Sequence, residues 1–121
     1  MRQLRPHLSE SEYLGRVRGM QASSGYRMAY AADGTVRGVA GFRVTEFLAY
    51  GRFLYVDDLV VDGGSRSGGY GKLLFDWLVE RARSEGCGQL HLDSGVERHG
   101  AHRFYLREGM KISSHHFSLD L

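Results

Sequence analysis

The chain has 121 residues, 42% of them hydrophobic and 25% charged, which sizes it for one domain around a modest core. A net charge of +2 is too small to argue for nucleic acid, and no apolar run approaches the ~20 residues that cross a bilayer. Cys87 is the only cysteine, so no internal disulfide can form; residues 1–5 lack the apolar core of a signal peptide, and the expected compartment is the reducing cytoplasm.

Taken in chain order, residues 3–5 read as a short first strand. Ser9 then caps a helix, with Glu12 closing a capping box, Leu8 and Tyr13 spaced as a hydrophobic staple, and Tyr13, Leu14, Val17 and Met20 forming an apolar stripe. Asp33-Gly34, between the strand-like runs 26–32 and 35–47, predicts a hairpin whose two central residues take positive φ, so an antiparallel meander opens the sheet. Residues 53–61 form the next strand. A glycine-rich turn follows, then a helix with a buried stripe of Leu73, Leu74, Trp77, Leu78 and Ala82 and a stop at Gly86. Residues 89–93 read as a short strand, residues 100–108 as a helix closed by Gly109, and residues 111–121 as a terminal strand. The connection from strand 53–61 to strand 89–93 is long enough for a parallel crossover, so the plan is a single α/β domain over residues 1–121 with a mixed sheet.

The turn Arg66-Ser67-Gly68-Gly69-Tyr70-Gly71 has the chemistry of an anion cradle. Its glycines let the backbone take positive φ and approach a ligand closely, while the first N–H groups of the helix beginning near Lys72 have no intrahelical partner. Those donors, the positive end of the helix dipole and the Arg66 guanidinium suit a phosphate or pyrophosphate. A P-loop is excluded, because Arg66 stands where its first glycine belongs and Leu73 where its Ser or Thr belongs. A dinucleotide fingerprint from Gly69 and Gly71 would need a third glycine where Leu74 stands.

Arg-x-x-Gly-x-Gly before an apolar helix instead resembles the acetyl-CoA pyrophosphate loop of the GNAT (GCN5-related N-acetyltransferase) superfamily. Ala101-His102-Arg103-Phe104-Tyr105-Leu106-Arg107-Glu108-Gly109-Met110 is similar to the same family's late helix, with its Ala, a Tyr four residues on and a closing Gly-aliphatic pair. The resemblance implies the acyl-CoA N-acyltransferase fold: a mixed, largely antiparallel twisted sheet, helices on both faces and a parallel splayed pair at the cofactor site. It also implies acetyl-CoA as co-substrate and direct acetyl transfer to a primary amine in a ternary complex. On that resemblance Arg66, Ser67, Gly68, Gly69, Tyr70, Gly71 and Lys72 hold the pyrophosphate, and backbone groups of Leu59, Val60 and Val61 hold the pantetheine arm and polarise the carbonyl. Ser94, after the splayed strand, and Arg98, where many relatives have Asn, are further expected cofactor contacts.

Acyl transfer to an amine also needs a base and an acid. An amine of lysine-like pKa costs about 4–5 kcal/mol to present as free base at neutral pH. Asp57 and Asp58 are adjacent in a strand, so alternation points them to opposite faces and only one can meet the substrate. Family placement favours Asp57 as base over Asp58, and Tyr105 matches the family's general acid to the departing thiolate.

The acceptor is expected to be an amine, on a small molecule or a protein. Relatives carry two helices between the first two strands where this chain has room for one, so the acceptor cleft is expected to be open or completed by a second subunit in a homodimer. His115 and His116 point to opposite faces of a strand and make a poor metal set with His99 and His102, so no metal is expected. Cys87 lies just after Gly86, far from the loop, which favours direct transfer over an acyl-cysteine route. The rival reading is a non-catalytic acyl-CoA-binding regulatory or interaction module. It would keep the glycine loop and bind acetyl-CoA without turnover.

Overall fold

The computed structural model describes residue 1 and residues 3–121, apart from the side chains of residues 65–67; the expected contributions of the Arg66 and Ser67 side chains lie outside the described residues. Four strands form one sheet in the order β1 (Arg27–Asp33), β2 (Thr35–Phe47), β3 (Gly51–Val61) and β4 (Gln89–Leu92). The first three run antiparallel to one another, and β4 lies parallel to β3. The helices are α1 (Glu10–Ser23), α2 (Tyr70–Ser84) and α3 (His99–Arg107), with a 3-10 turn over Gly63–Gly68 leading into α2.

The core lies between the sheet and α2. Ala31, Ala40, Phe42, Leu54 and Val56 pack against Leu74, Leu78 and Ala82, and Leu59 joins them from the far end of β3. Arg27 ties this layer together by donating from both terminal nitrogens to Glu85 just past α2, at 2.8 Å each, while its guanidinium lies 4.9 Å from the Phe42 ring centre. On the opposite face, Tyr13 of α1 donates to Met28 Sδ at 3.5 Å, so helices cover both faces as expected. Ser9 caps α1 by accepting from Glu12 N at 3.3 Å, and its hydroxyl donates to the Glu12 carboxylate at 2.9 Å. That is a variant of the expected capping box, with the Glu reaching the Ser hydroxyl.

One irregularity in β3 governs the rest. Gly41 pairs with Asp58 but the next residue, Phe42, pairs with Val56, which leaves Asp57 as an extra residue in a bulge. Below the bulge Leu54 and Val56 face α2; above it Leu59 packs there, and Val61 does so beside Leu74. Asp57 and Asp58 are therefore both carried to the α1 face.

Besides the shared face of Asp57 and Asp58, four expectations change. Residues 3–5 form a turn, with Leu4 N and Arg5 N both donating to Met1 O, and no strand; their side chains hold them, Gln3 to Asp62 and Gly63 just past β3 and Arg5 to Asp58 within it. Only Gly34 of the hairpin pair has positive φ (74°), since the register shift between Ala31 and Ala32 lets the chain reverse with Asp33 still extended in β1. The buried stripe of α2 is Leu74, Phe75, Leu78 and Ala82, while Leu73 and Trp77 are 59% and 38% exposed. Trp77 sits at the margin, with its ring edge-on to Phe42 and under the Arg81 guanidinium. Residues 111–121 form no strand and are exposed, because their backbone pairs with no edge of the sheet among the described residues.

Gly41 is where Tyr26 crosses the sheet: a Cβ there would lie 1.7 Å from the Tyr26 hydroxyl oxygen. Gly41→Ala is expected to destabilise the fold by about 1–3 kcal/mol through overpacking, read as a lower urea midpoint at unchanged slope. An unchanged midpoint would contradict this packing.

Candidate active site

The pairing of β3 with β4 stops at Val56 and Leu92, while β3 continues to Val61 and the chain after Leu92 leaves the sheet. Leu59, Val60 and Val61 remain paired with Ala40, Val39 and Gly38 on one side. Their other edge carries no strand among the described residues, so backbone donors and acceptors there stay open to a ligand. The splayed parallel pair implied by the sequence is thus present.

This edge runs into the glycine loop. Gly69 has φ of 79°, and a Cβ on it would meet nothing within 4 Å. The first helical bond of α2 is Leu73 N to Gly69 O at 3.0 Å, which leaves the N–H groups of Tyr70, Gly71 and Lys72 without intrahelical partners at the positive end of the helix. Gly71 packs against Val61 and Phe104, and Gly68 lies under the Tyr70 ring, where a Cβ would come within 2.7 Å. The Lys72 ammonium is committed elsewhere, at 2.9 Å from Glu108, which raises its pKa and joins the start of α2 to the end of α3. Lys72 therefore offers the loop its backbone N–H.

On the α1 face a cleft of about 1050 Å³ opens beside β3 and β4, with Arg43, Tyr55, Asp57, Ser94 and Tyr105 among its walls and residues 110–117 along its rim. Burial pushes the Tyr105 phenol upward, partly opposed by the Arg98 guanidinium, so it is protonated at neutral pH. Ser94 Oγ, in the same cleft, is buried and has no hydrogen-bond partner among the described residues. Arg98 stands at the start of α3, with its backbone N donating to Gly95 O at 3.0 Å, and is not among the cleft walls.

The two carboxylates share a face, contrary to simple alternation, because the bulge inserts one residue between Val56 and Asp58. Arg43 grips both oxygens of Asp57, with Nε at 3.0 Å and a closer second contact. Asp58 accepts from Arg5 Nε at 2.9 Å and from the Tyr26 hydroxyl at 2.8 Å. Burial first, then that bond to Asp58, pushes the Tyr26 phenol well above its usual value. A second cavity of about 400 Å³, between α1 and the sheet, is lined by both carboxylates with Arg5, Tyr13, Arg16 and Tyr26. Asp57 and Tyr55 border both cavities.

Sequence reasoning missed Arg5, Tyr26, Arg43 and Tyr55. Tyr55 donates to Asp93, and burial followed by that bond raises its pKa. Register was the missing signal, since Arg43 pairs with Tyr55 across β2 and β3. Cys87 lies before β4, at the end opposite Ser94, with its backbone N bound to Ala82 O. Among the described residues no three His, Cys, Asp or Glu side chains gather as a metal site. Nor is any helix among them long and apolar enough to cross a membrane.

The model of the Acetyltransferase (GNAT) family matches residues 3–110. The chain belongs to that family. It is 34% identical to an uncharacterized N-acetyltransferase, YhdJ, of Bacillus subtilis, over 97% of this chain and 84% of that protein. It is also 34% identical to the aminoalkylphosphonate N-acetyltransferase of Salmonella typhimurium, over 77% of this chain and 60% of the other. The crystal structure of a Trypanosoma brucei acetyltransferase superposes with a TM-score of 0.74 at 28% identity, covering 94% of this chain and 81% of that one. In this GNAT chain the glycine-rich turn follows β3 beyond the point where β4 parts from it, and the cleft that holds Tyr105 opens beside the same two strands.

The raised tyrosines make a pH prediction. Tyr26, Tyr55 and Tyr105 keep their protons in the fold beyond the pH at which the unfolded chain releases them, so their contribution is intact below about pH 10 and is lost as pH rises through the folded values. Urea midpoints should fall between about pH 9.5 and about pH 11, and by less in Tyr105→Phe. A fall of the same size in the variant would contradict the shift assigned to Tyr105.

Proposed function

We propose that this protein is an acetyl-CoA-dependent N-acetyltransferase that transfers acetyl directly to the amine of a small molecule. The observation that carries the reading is the parting of β3 and β4 beyond Val56 and Leu92: β3 goes on to the turn before α2, and the chain after Leu92 enters the cleft containing Ser94 and Tyr105. The residues fit acetyl-CoA: the N–H groups of Tyr70, Gly71 and Lys72, which have no partner within α2, suit the pyrophosphate, the open edge at Leu59, Val60 and Val61 suits the amide-bearing pantetheine arm, and the buried Ser94 hydroxyl lacks a partner among the described residues that such a ligand could supply. Arg66 and Ser67 belong to the same loop by sequence.

In the proposed reaction, backbone N–H groups of β3 polarise the thioester carbonyl, the amine attacks the carbonyl carbon, and the C–S bond breaks as Tyr105 donates its proton to sulfur. The amine must lose its own proton. Asp57 borders both cavities, and its lone pairs left free by Arg43 can accept from the ammonium directly or through water. Asp58 holds Arg5 and Tyr26 around the smaller cavity. That cavity suits a compact amine, and the aminoalkylphosphonate acetyltransferase among the relatives supports the same class of acceptor.

Thiol release from acetyl-CoA with a panel of small amines tests the reading. Tyr105→Phe is expected to lower kcat about 10²–10⁴-fold with little change in acetyl-CoA affinity. Loss of affinity with kcat preserved would contradict the acid role. Acetyl-CoA binding with no thiol release across the panel would favour the binding-module reading, which the two-pronged Arg43 grip on Asp57 would then explain.

A further inference from the structure

Given the acetyl transfer proposed above, we propose that His116 is the base that takes the proton from the acceptor's ammonium, oriented by Asp93 and, behind it, Tyr55. The His116 Nδ1 atom lies 3.3 Å from Asp93 Oδ1, while Tyr55 donates its hydroxyl to Asp93 Oδ2. All three border the larger cleft, which also holds Asp57 and Tyr105. A carboxylate beside Nδ1 favours the tautomer with its proton on that nitrogen, which leaves the Nε2 lone pair to accept, and it stabilises the imidazolium that forms. Tyr55 fixes the carboxylate in turn, because its own place in β3 is set by the pairing with Arg43 of β2.

Asp57 is poorly placed to keep that proton. Arg43 grips both of its oxygens, so protonation there breaks a two-pronged, charge-assisted pair. Asp57 then holds the ammonium by a hydrogen bond, and the proton goes on to His116. The other imidazoles of the cleft are engaged differently: His91 Nε2 lies 2.6 Å from Gln89 Oε1 with its ring stacked on Tyr50, and His102 Nε2 lies 2.7 Å from Gly95 O. His115 and Lys111, on the same segment as His116, have no carboxylate at ion-pair distance among the described residues, so His116 is the cleft imidazole that a carboxylate orients. In the step itself an ammonium N–H bond breaks and its proton passes to Nε2, and the freed lone pair attacks the thioester carbon. The C–S bond breaks as Tyr105 protonates sulfur, and the second proton shed by nitrogen as the amide forms returns to the Tyr105 oxygen. The His116 side chain is 66% exposed, so the imidazolium discharges to solvent and the site is restored with one proton released per turnover.

Thiol release from acetyl-CoA with the small-amine panel, followed from about pH 5.5 to about pH 9, tests the assignment. His116→Ala is expected to lower kcat about 10²–10³-fold near neutral pH, with acetyl-CoA affinity by calorimetry unchanged, and added imidazole should restore part of the rate. Its profile should lose the acidic limb and climb instead with the fraction of free amine. Asp93→Asn should move the acidic limb to lower pH, since the imidazolium loses its neighbouring charge. A wild type that turns over beside an equally active His116→Ala, or a slowed variant whose acidic limb stays where it was, would overturn the base role and leave the transfer standing. A wild type that binds acetyl-CoA yet releases no thiol with any amine would overturn the transfer and the base role together.

Discussion

Half-buried backbone N–H and C=O groups left unpaired cost about 1–3 kcal/mol each, and among the described residues no strand pairs with one edge of β3 over Leu59, Val60 and Val61. The rest of the molecule supports that opening. β2 pairs β3 along its other edge as far as Val61, α2 packs beneath it through Leu74, Leu78 and Ala82, and Lys72 with Glu108 joins α2 to α3. The strand cannot slide to close the gap, because its core residues are fixed on the α2 face. A ligand with its own amide groups relieves the cost, which gives the opening a chemical purpose as well as a shape.

The bulge at Asp57 is the second device. Without it, strand alternation would bury one carboxylate against α2, where an unpaired charge is costly. With it, both carboxylates reach the α1 face and are held by separate arginines, Asp57 by Arg43 and Asp58 by Arg5. The same inserted residue lets Leu59 and Val61 face α2, so the packing beneath the site and the charge above it have one origin. Tyr26, crossing at Gly41 to reach Asp58, locks this arrangement from the β1 side.

Much of this was legible in the sequence. Gly69, Gly86 and Gly109 stand at positive φ where turn and helix-end chemistry placed them, and the Ser9 cap and the parallel crossover followed from local pattern. The bulge was not legible, because no local residue preference marks it; it exists in the pairing of Gly41 and Phe42 with β3. Arg5 and Arg43 carry no local signal: strand register brings Arg43 to Asp57, and the N-terminal turn brings Arg5 to Asp58. The stripe of α2 was read correctly at Leu74, Leu78 and Ala82 but took Leu73 and Trp77 in place of Phe75, because Trp77 is apolar yet sits at the edge of the core. Residues 111–121 read as a terminal strand, yet among the described residues no edge of the sheet pairs with them.

Calorimetric titration of acetyl-CoA into the folded protein, beside a Gly69→Asp/Gly71→Asp variant whose melting confirms its fold, tests the central claim most directly. Micromolar binding by the wild type is expected, with a loss of roughly tenfold or more in the variant, whose carboxylates would stand at the N-terminal N–H groups of α2. Absence of binding by the folded wild type, or equal binding by the variant, would contradict the assignment of the loop and of the opening it serves.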